Sequence, residues 1–216
     1  ELAEYFWVLA GQDASAALTV GLEALAANPD NHQVRDRAIA EALALTKETT
    51  IVSLAAEGQK RSPRTALWPR RAAESQLRQK NPSAAADAYL QATRMSDATP
   101  DDALGLAVSL EAAKRYSEAA SAWKAVPAAS RQGKPDLEHS RLRSLALSGD
   151  ASSAAELDVW LAAKPEDVEM RALAVEVQAK AGDHLKALTL AEPLTGHEWL
   201  RRRVNFARAA NRPDLA

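Results

Sequence analysis

Cysteine is absent from the 216-residue chain. That excludes a disulfide framework, a thiolate metal site and a cysteine nucleophile, and it fits periplasm and cytoplasm equally. Aromatic residues make up only 5 %, so much of the 47 % hydrophobic content is alanine. Neither sign of charge dominates: 27 Lys and Arg face 29 Asp and Glu, a net charge of −2. A nucleic-acid partner would need a clustered basic excess. No apolar run reaches the length of a membrane span, so this segment is not expected to cross a bilayer. His32, His139, His184 and His197 lie far apart, with no i, i+4 pair and no H-E-x-x-H, so no metal site is predicted. There is no nucleophile elbow, no phosphate-cradling loop and no dinucleotide fingerprint. No catalytic residue and no cofactor are expected, and the chain is read as a non-enzyme.

What the chain does have is a beat. Gly149-Asp150 recurs at Gly182-Asp183, 33 residues on, and Pro29 and Pro63 stand 34 residues apart. Each sits between or after Ala-rich stretches, and alanine is the best helix former and the smallest core side chain. The pattern predicts a first helix ending at Leu9, then helices over about 14–27, 31–45, 47–60, 68–79, 84–95, 102–114, 117–125, 137–147, 152–163, 168–181, 185–192 and 198–210. Proline ends a helix through its missing N–H and its clash with the preceding turn, as at Asn28-Pro29. Short connections make successive helices antiparallel, and no period-two strand pattern appears. The polar stretch 127–135, with Ser130, Gln132 and Gly133, is where an irregular stacking step is expected. Both ends read as cut: Tyr5-Phe6-Trp7 falls inside a helix, and Pro213-Asp214 looks like the opening of another. The expectation is therefore one array over 1–216, excised from a longer chain.

These residues resemble the tetratricopeptide repeat (TPR), a 34-residue helix–turn–helix with small residues at the helix crossing and an aromatic on the second helix. Tyr116, Ala119 and Trp123 carry the clearest match, followed by Ala85, Tyr89 and Ala92. Gly149-Asp150 with Ala154, and Gly182-Asp183 with Ala187, match the turn and crossing positions. The first helices match less well, and the second hairpin is poorest, with Ile51 at the crossing and Gly58 late in its helix. The resemblance implies an all-α, right-handed superhelical solenoid of about six hairpins.

In that family the ligand surface is the concave face lined by the first helix of each hairpin. Aligned hairpins put Asp36, Arg70, Glu74, Arg78, Glu111, His139, Arg143, Glu176, Arg201, Asn205 and Arg208 on or near it. The family's carboxylate clamp needs Lys, Asn and Arg at matching positions. Here the pairs are Asp36/Ala40, Arg70/Glu74, Leu104/Val108, His139/Arg143, Ala172/Glu176 and Arg201/Asn205. Only the last resembles part of a clamp, so a partner with a patterned, mixed-charge surface is expected instead. The triplet Arg201-Arg202-Arg203 points in different directions on a helix and is not one patch. Trp7, Trp68, Trp123, Trp160 and Trp199 are expected to pack between helices rather than stack on sugars.

The expected function is a non-catalytic scaffold holding a protein partner in its groove. Ala-rich, degenerate, Cys-free TPR segments are similar to the periplasmic scaffolds of bacterial exopolysaccharide export proteins of the Pel, cellulose and poly-N-acetylglucosamine type. That resemblance implies a periplasmic location, with a polysaccharide-modifying enzyme as partner. The alternative is a cytoplasmic or membrane-tethered assembly factor.

Overall fold

A computed structural model describes residues 1–212 and 214. Among the described residues the chain is helical with no strand, the all-α repeat architecture expected from the sequence. It forms two compact units. Unit 1, Glu1–Ala113, holds α1 (Leu2–Leu9), α2 (Ala14–Ala27), α3 (His32–Ala44), α4 (Glu48–Arg61), α5 (Leu67–Arg78), α6 (Pro82–Ala92) and α7 (Pro100–Ala112). Each packs on the next. Unit 2, from Lys114 onward, holds α8 (Tyr116–Ala125), α9 (Ala128–Arg131), α10 (Pro135–Ser148), α11 (Ser153–Ala163), α12 (Val168–Lys180), α13 (His184–Ala191) and α14 (His197–Ala209). Here α8 packs directly on α10, and the single turn α9 sits between them in sequence. The expected further helix at 213–216 lies outside the described residues, Asp214 aside.

Several helices open on a side-chain cap. Asp13, Asn31, Asn81, Asp167 and Asp183 each accept a backbone N–H of the first turn, satisfying donors that have no partner inside the helix. Three helices start two residues earlier than predicted, at Pro82, Pro100 and Pro135. Each proline was expected in a connector. Instead it takes the first helical position, where its fixed φ suits the helix and its missing N–H costs nothing.

The repeat beat is more regular in the backbone than in the sequence. Left-handed φ recurs at Gly11, Thr46, Lys80, Lys114, Gly149 and Gly182, at intervals of 33–35 residues, and occurs outside that series at Gly133, Gly196 and Asn211. After four of these residues the next N–H reaches back five residues: Lys47 to the Ala42 carbonyl at 2.9 Å, Asn81 to Gln76 at 2.9 Å, Asp150 to Leu145 at 3.1 Å, Asp183 to Gln178 at 3.0 Å. This closes the helix end and satisfies a free carbonyl.

Burial follows the same beat. Counting from the left-handed residue, positions five, nine and twelve are buried in α4 (Ile51, Ala55, Gly58), α6 (Ala85, Tyr89, Ala92) and α13 with its following turn (Ala187, Ala191, Leu194). Ile51 and Gly58 therefore keep the pattern that their residue types obscure. In α11 the buried face begins one residue early, at Ser153 and Leu157, and the expected crossing residue Ala154 is only half-buried. Asp150 accepts the Ser152 N–H at 3.0 Å and hydroxyl at 2.7 Å, so α11 opens at Ser153, whereas α13 opens directly after Asp183. Leu161, at position twelve, is back in the shared register.

Three helix glycines in unit 1 are seats for aromatic rings. A Cβ on Gly58 would lie 2.3 Å from Trp68 Cδ2, on Gly105 2.5 Å from Tyr89 Cζ, and on Gly21 2.8 Å from Phe6 Cε2. The side-chain-free surface lets a large ring approach the helix closely, burying roughly 150–250 Å² per aromatic where alanine alone would leave a thin core. One core cluster runs from Phe6 through Val34, Ile39 and Ile51 to Trp68. In unit 2, Leu142, Leu157, Leu161 and Met170 form one cluster and Val175, Ala187, Ala191 and Leu194 another. Trp68 and Trp123 are buried and Trp160 and Trp199 partly so, but Trp7 departs from the packing expectation at 47 % exposed.

Candidate partner-binding surfaces

The residues predicted for the first-helix face fall largely into pairs that join one hairpin to the next. Asp36 on α3 receives Arg71 Nε of α5 at 2.7 Å, and Arg71 also holds Glu74 at 2.9 Å. Arg70 reaches the other way, to α7, and grips Asp102 through Nε at 2.6 Å and a second nitrogen at 2.7 Å. Arg78 donates to the Leu43 carbonyl at 3.2 Å. In unit 2, Arg143 on α10 pairs with Glu169 on α12 at 3.2 Å, and His139 Nε2 lies 3.6 Å from Asp167. Glu176 on α12 binds Arg202 on α14. Glu111 is buried. Arg201, Asn205 and Arg208 stand exposed on α14. As expected, the arginine triplet diverges: Arg202 takes Glu176 and Glu198, while Arg203 turns to the Glu192 carbonyl.

The electrostatics follow from this pairing. Asp102 is fully buried. Burial raises its pKa, but the Arg70 guanidinium and the Thr99 N–H (2.7 Å) and hydroxyl (3.0 Å) outweigh that, and the carboxyl sits below its ordinary value. The Asp36 carboxylate, with Glu74 and against burial, raises the Arg71 pKa. Burial first, then the nearby Glu74 and Asp102, pushes the Tyr89 hydroxyl up to about 12. At Asp167 burial again raises the carboxyl, but the Met170 N–H and the Trp160 indole, at 2.8 Å, outweigh it and hold the pKa low. Asp102 and Asp167 thus each cap a helix start, where the dipole also favours a carboxylate. Among the described residues no group of three or more His, Asp or Glu could hold a metal, and no helix is long and apolar enough to cross a membrane.

Sequence reasoning missed a second surface. In unit 2 a groove of about 420 Å³ lies between α10 and α11, floored by Leu142 and walled by Ala155, Val159, Trp160 and Ala163. A cavity of about 570 Å³ beside α9 shares Glu138 and Trp160 with it. α10 packs more sparsely on α11 than α12 does on α13. Charged side chains rim the groove: Arg131 holds Glu138 at 2.5 Å, and Arg141 holds Glu138 at 2.8 Å and also Glu156. Val159 is 73 % exposed. No sequence signal marked it, since Gly149-Asp150 to Ala154 and Gly182-Asp183 to Ala187 have the same spacing.

No protein-family model matches the chain, and no curated protein matches it. Solved structures do. A chain of the Naa15/Naa10 complex bound to HypK-THB matches with a TM-score of 0.66 and 16 % identity, over all of this chain and 35 % of its own length. A tetratricopeptide repeat protein from Parabacteroides merdae matches with a TM-score of 0.59 and 10 % identity, over 98 % of this chain and 86 % of its own. The chain thus spans about a third of the first of these. At such identities the likeness is one of fold, and the fold is that of tetratricopeptide-repeat proteins.

Proposed function

We propose that the chain is a protein-binding scaffold. The observation that carries this is the set of pairs between neighbouring first helices: Asp36–Arg71, Arg70–Asp102, Arg143–Glu169 and Glu176–Arg202. They hold successive hairpins in a fixed arrangement, so a partner meets an ordered surface and association loses little conformational freedom. Stacked repeats offer such surfaces as their usual means of recognition. The finer reading keeps the resemblance of the sequence: a periplasmic segment that recruits a polysaccharide-modifying enzyme during exopolysaccharide export. The Cys-free, Ala-rich, degenerate repeats support it.

The test is proximity labelling from the chain in its native cell, with periplasm and cytosol separated. Recovery of polysaccharide-modifying enzymes in the periplasmic fraction is expected. Labelling confined to cytosolic proteins overturns the export reading and leaves the scaffold standing. A second reading, an assembly factor for a cytoplasmic or membrane-tethered complex, draws on the likeness to a chain of the Naa15/Naa10 complex with HypK-THB. Direct polymer contact is tested separately: binding of charged oligosaccharide lost on Arg201→Ala with Arg208→Ala would add the polymer to the ligands.

A further inference from the structure

We infer that the Arg141–Glu156 ion pair is a gate in unit 2, standing between the α10–α11 groove and a smaller inner cavity, and that Arg141 shifts between two carboxylates to open it. The inner cavity, of about 150 Å³, is lined by Trp123 of α8, Arg131 of α9 and Leu145 of α10, with the exposed Lys124 and Ser152. Arg141 and Glu156 are the two residues that line both spaces, so their side chains form the wall between them. α10 packs sparsely on α11. Leu142 and Ala146 still share a core cluster with Leu157 and Leu161, so the gate is a side chain, and opening needs no separation of the helices.

The pair can break at little cost. The Glu156 side chain is 38 % exposed, and a carboxylate so well hydrated holds a cation weakly. Arg141 also has a second partner in place. Its Nε–H donates to Glu138 at 2.8 Å, while its two terminal nitrogens serve Glu156. When those nitrogens leave Glu156, the guanidinium keeps the Glu138 carboxylate, and no charge is stranded in a largely buried site. Glu138 is itself held by Arg131 at 2.5 Å, so the second partner stays in position. Two arrangements of one side chain, each with a carboxylate, make a two-state element. In the closed arrangement the groove ends at the ion pair; in the open one it continues inward to Trp123. None of the pairs between first helices takes part, so the gate stands apart from the scaffold reading.

Two indoles report the outcome. Trp68 and Trp123 are each 1 % exposed, and neither indole N–H has an acceptor. Trp123 borders the inner cavity, whereas Trp68 lies in the core of unit 1. The measurement is exchange of these two N–H protons with water, by NMR on the isotope-labelled whole chain. Glu156→Gln keeps the shape of the wall and removes its charge. It is expected to speed exchange at Trp123 about three-fold or more and to leave Trp68 unchanged. Glu138→Gln removes the partner of the open arrangement, commits Arg141 to Glu156, and is expected to slow exchange at Trp123. An unchanged rate at Trp123 in Glu156→Gln overturns the gate. So does an equal acceleration at Trp68, which would mean general loosening. Exchange at Trp123 that is not slowed by Glu138→Gln overturns the shift between two carboxylates.

Discussion

Glycine separates the two units. In unit 1, Gly11 makes a turn, but Gly21, Gly58 and Gly105 lie inside helices, each beneath an aromatic ring that a Cβ would strike. In unit 2, Gly133, Gly149, Gly182 and Gly196 all have left-handed φ, with nothing within 4 Å of where a Cβ would be. The first set serves packing and the second serves turns. Charge divides the same way. Unit 1 buries one partner of its central pair completely, Asp102 under Arg70, while the Asp158–Lys186 pair of unit 2 is more than a third exposed on both sides. An alanine-rich repeat can thus gain rigidity from a few large rings and a buried ion pair, or remain looser and keep a groove.

The sharpest test of this contrast removes one carboxylate from each unit. Asp102→Ala strands the Arg70 charge and is expected to cost about 3 kcal/mol, whereas Asp158→Ala should cost no more than about 0.5 kcal/mol. Because two units need not unfold together, hydrogen exchange read segment by segment is the measurement. Comparable losses in both would erase the distinction. The same pair sets an acid limit. The Asp102 pKa is lowered in the fold, so its contribution is whole above the unfolded value of about 3.9 and is lost as pH falls through the lower folded value. Exchange protection in unit 1 should therefore drop below about pH 4, and Asp102→Asn should flatten that dependence.

Next in size is Gly58→Ala, which drives a methyl into the Trp68 ring. Overpacking of this kind costs about 2 kcal/mol even after the better helix propensity of alanine is counted. Gly149→Ala meets open space and bears only the left-handed strain, about 1 kcal/mol. Urea titrations of the two variants should rank them in that order; the reverse order would show that Trp68 yields easily and that the glycine seat is not required. Smallest, and opposite in sign, is Thr46→Gly or Lys80→Gly. Both residues hold left-handed φ without being glycine, so relief of strain, partly offset by a freer unfolded chain, should raise stability by about 0.5 kcal/mol. A loss instead would mean that their side chains contribute more than the turn costs them.

Thr46 and Lys80 also show where the sequence stopped being legible. The beat was visible at Gly149 and Gly182 because glycine advertises its backbone freedom. It was hidden at Thr46, Lys80 and Lys114, where the helix-end hydrogen bonds force the same conformation on ordinary residues. Apart from the single turn α9, which falls in the stretch 127–135 read as a linker, helix existence was readable from alanine content and turn residues, and most ends came within two residues. The misread starts at Pro82, Pro100 and Pro135 share one cause: proline is a stop when met from the N-terminal side and a start when met from the other. For the binding surface, the first-helix residues were placed in order, but no pattern could reveal that Asp36, Arg70, Glu74 and Glu176 already bind one another's neighbours. That depends on distances between hairpins. The groove was hidden for a similar reason, since it follows from how sparsely α10 and α11 pack on one another.

Arg70 and Arg71 are adjacent in the chain, yet one reaches forward to Asp102 and the other back to Asp36. Two consecutive codons thus specify both the predecessor and the successor of a single hairpin. A duplication or deletion of that unit by recombination would leave one guanidinium opposite a stranger. The order of three hairpins is written into one of them.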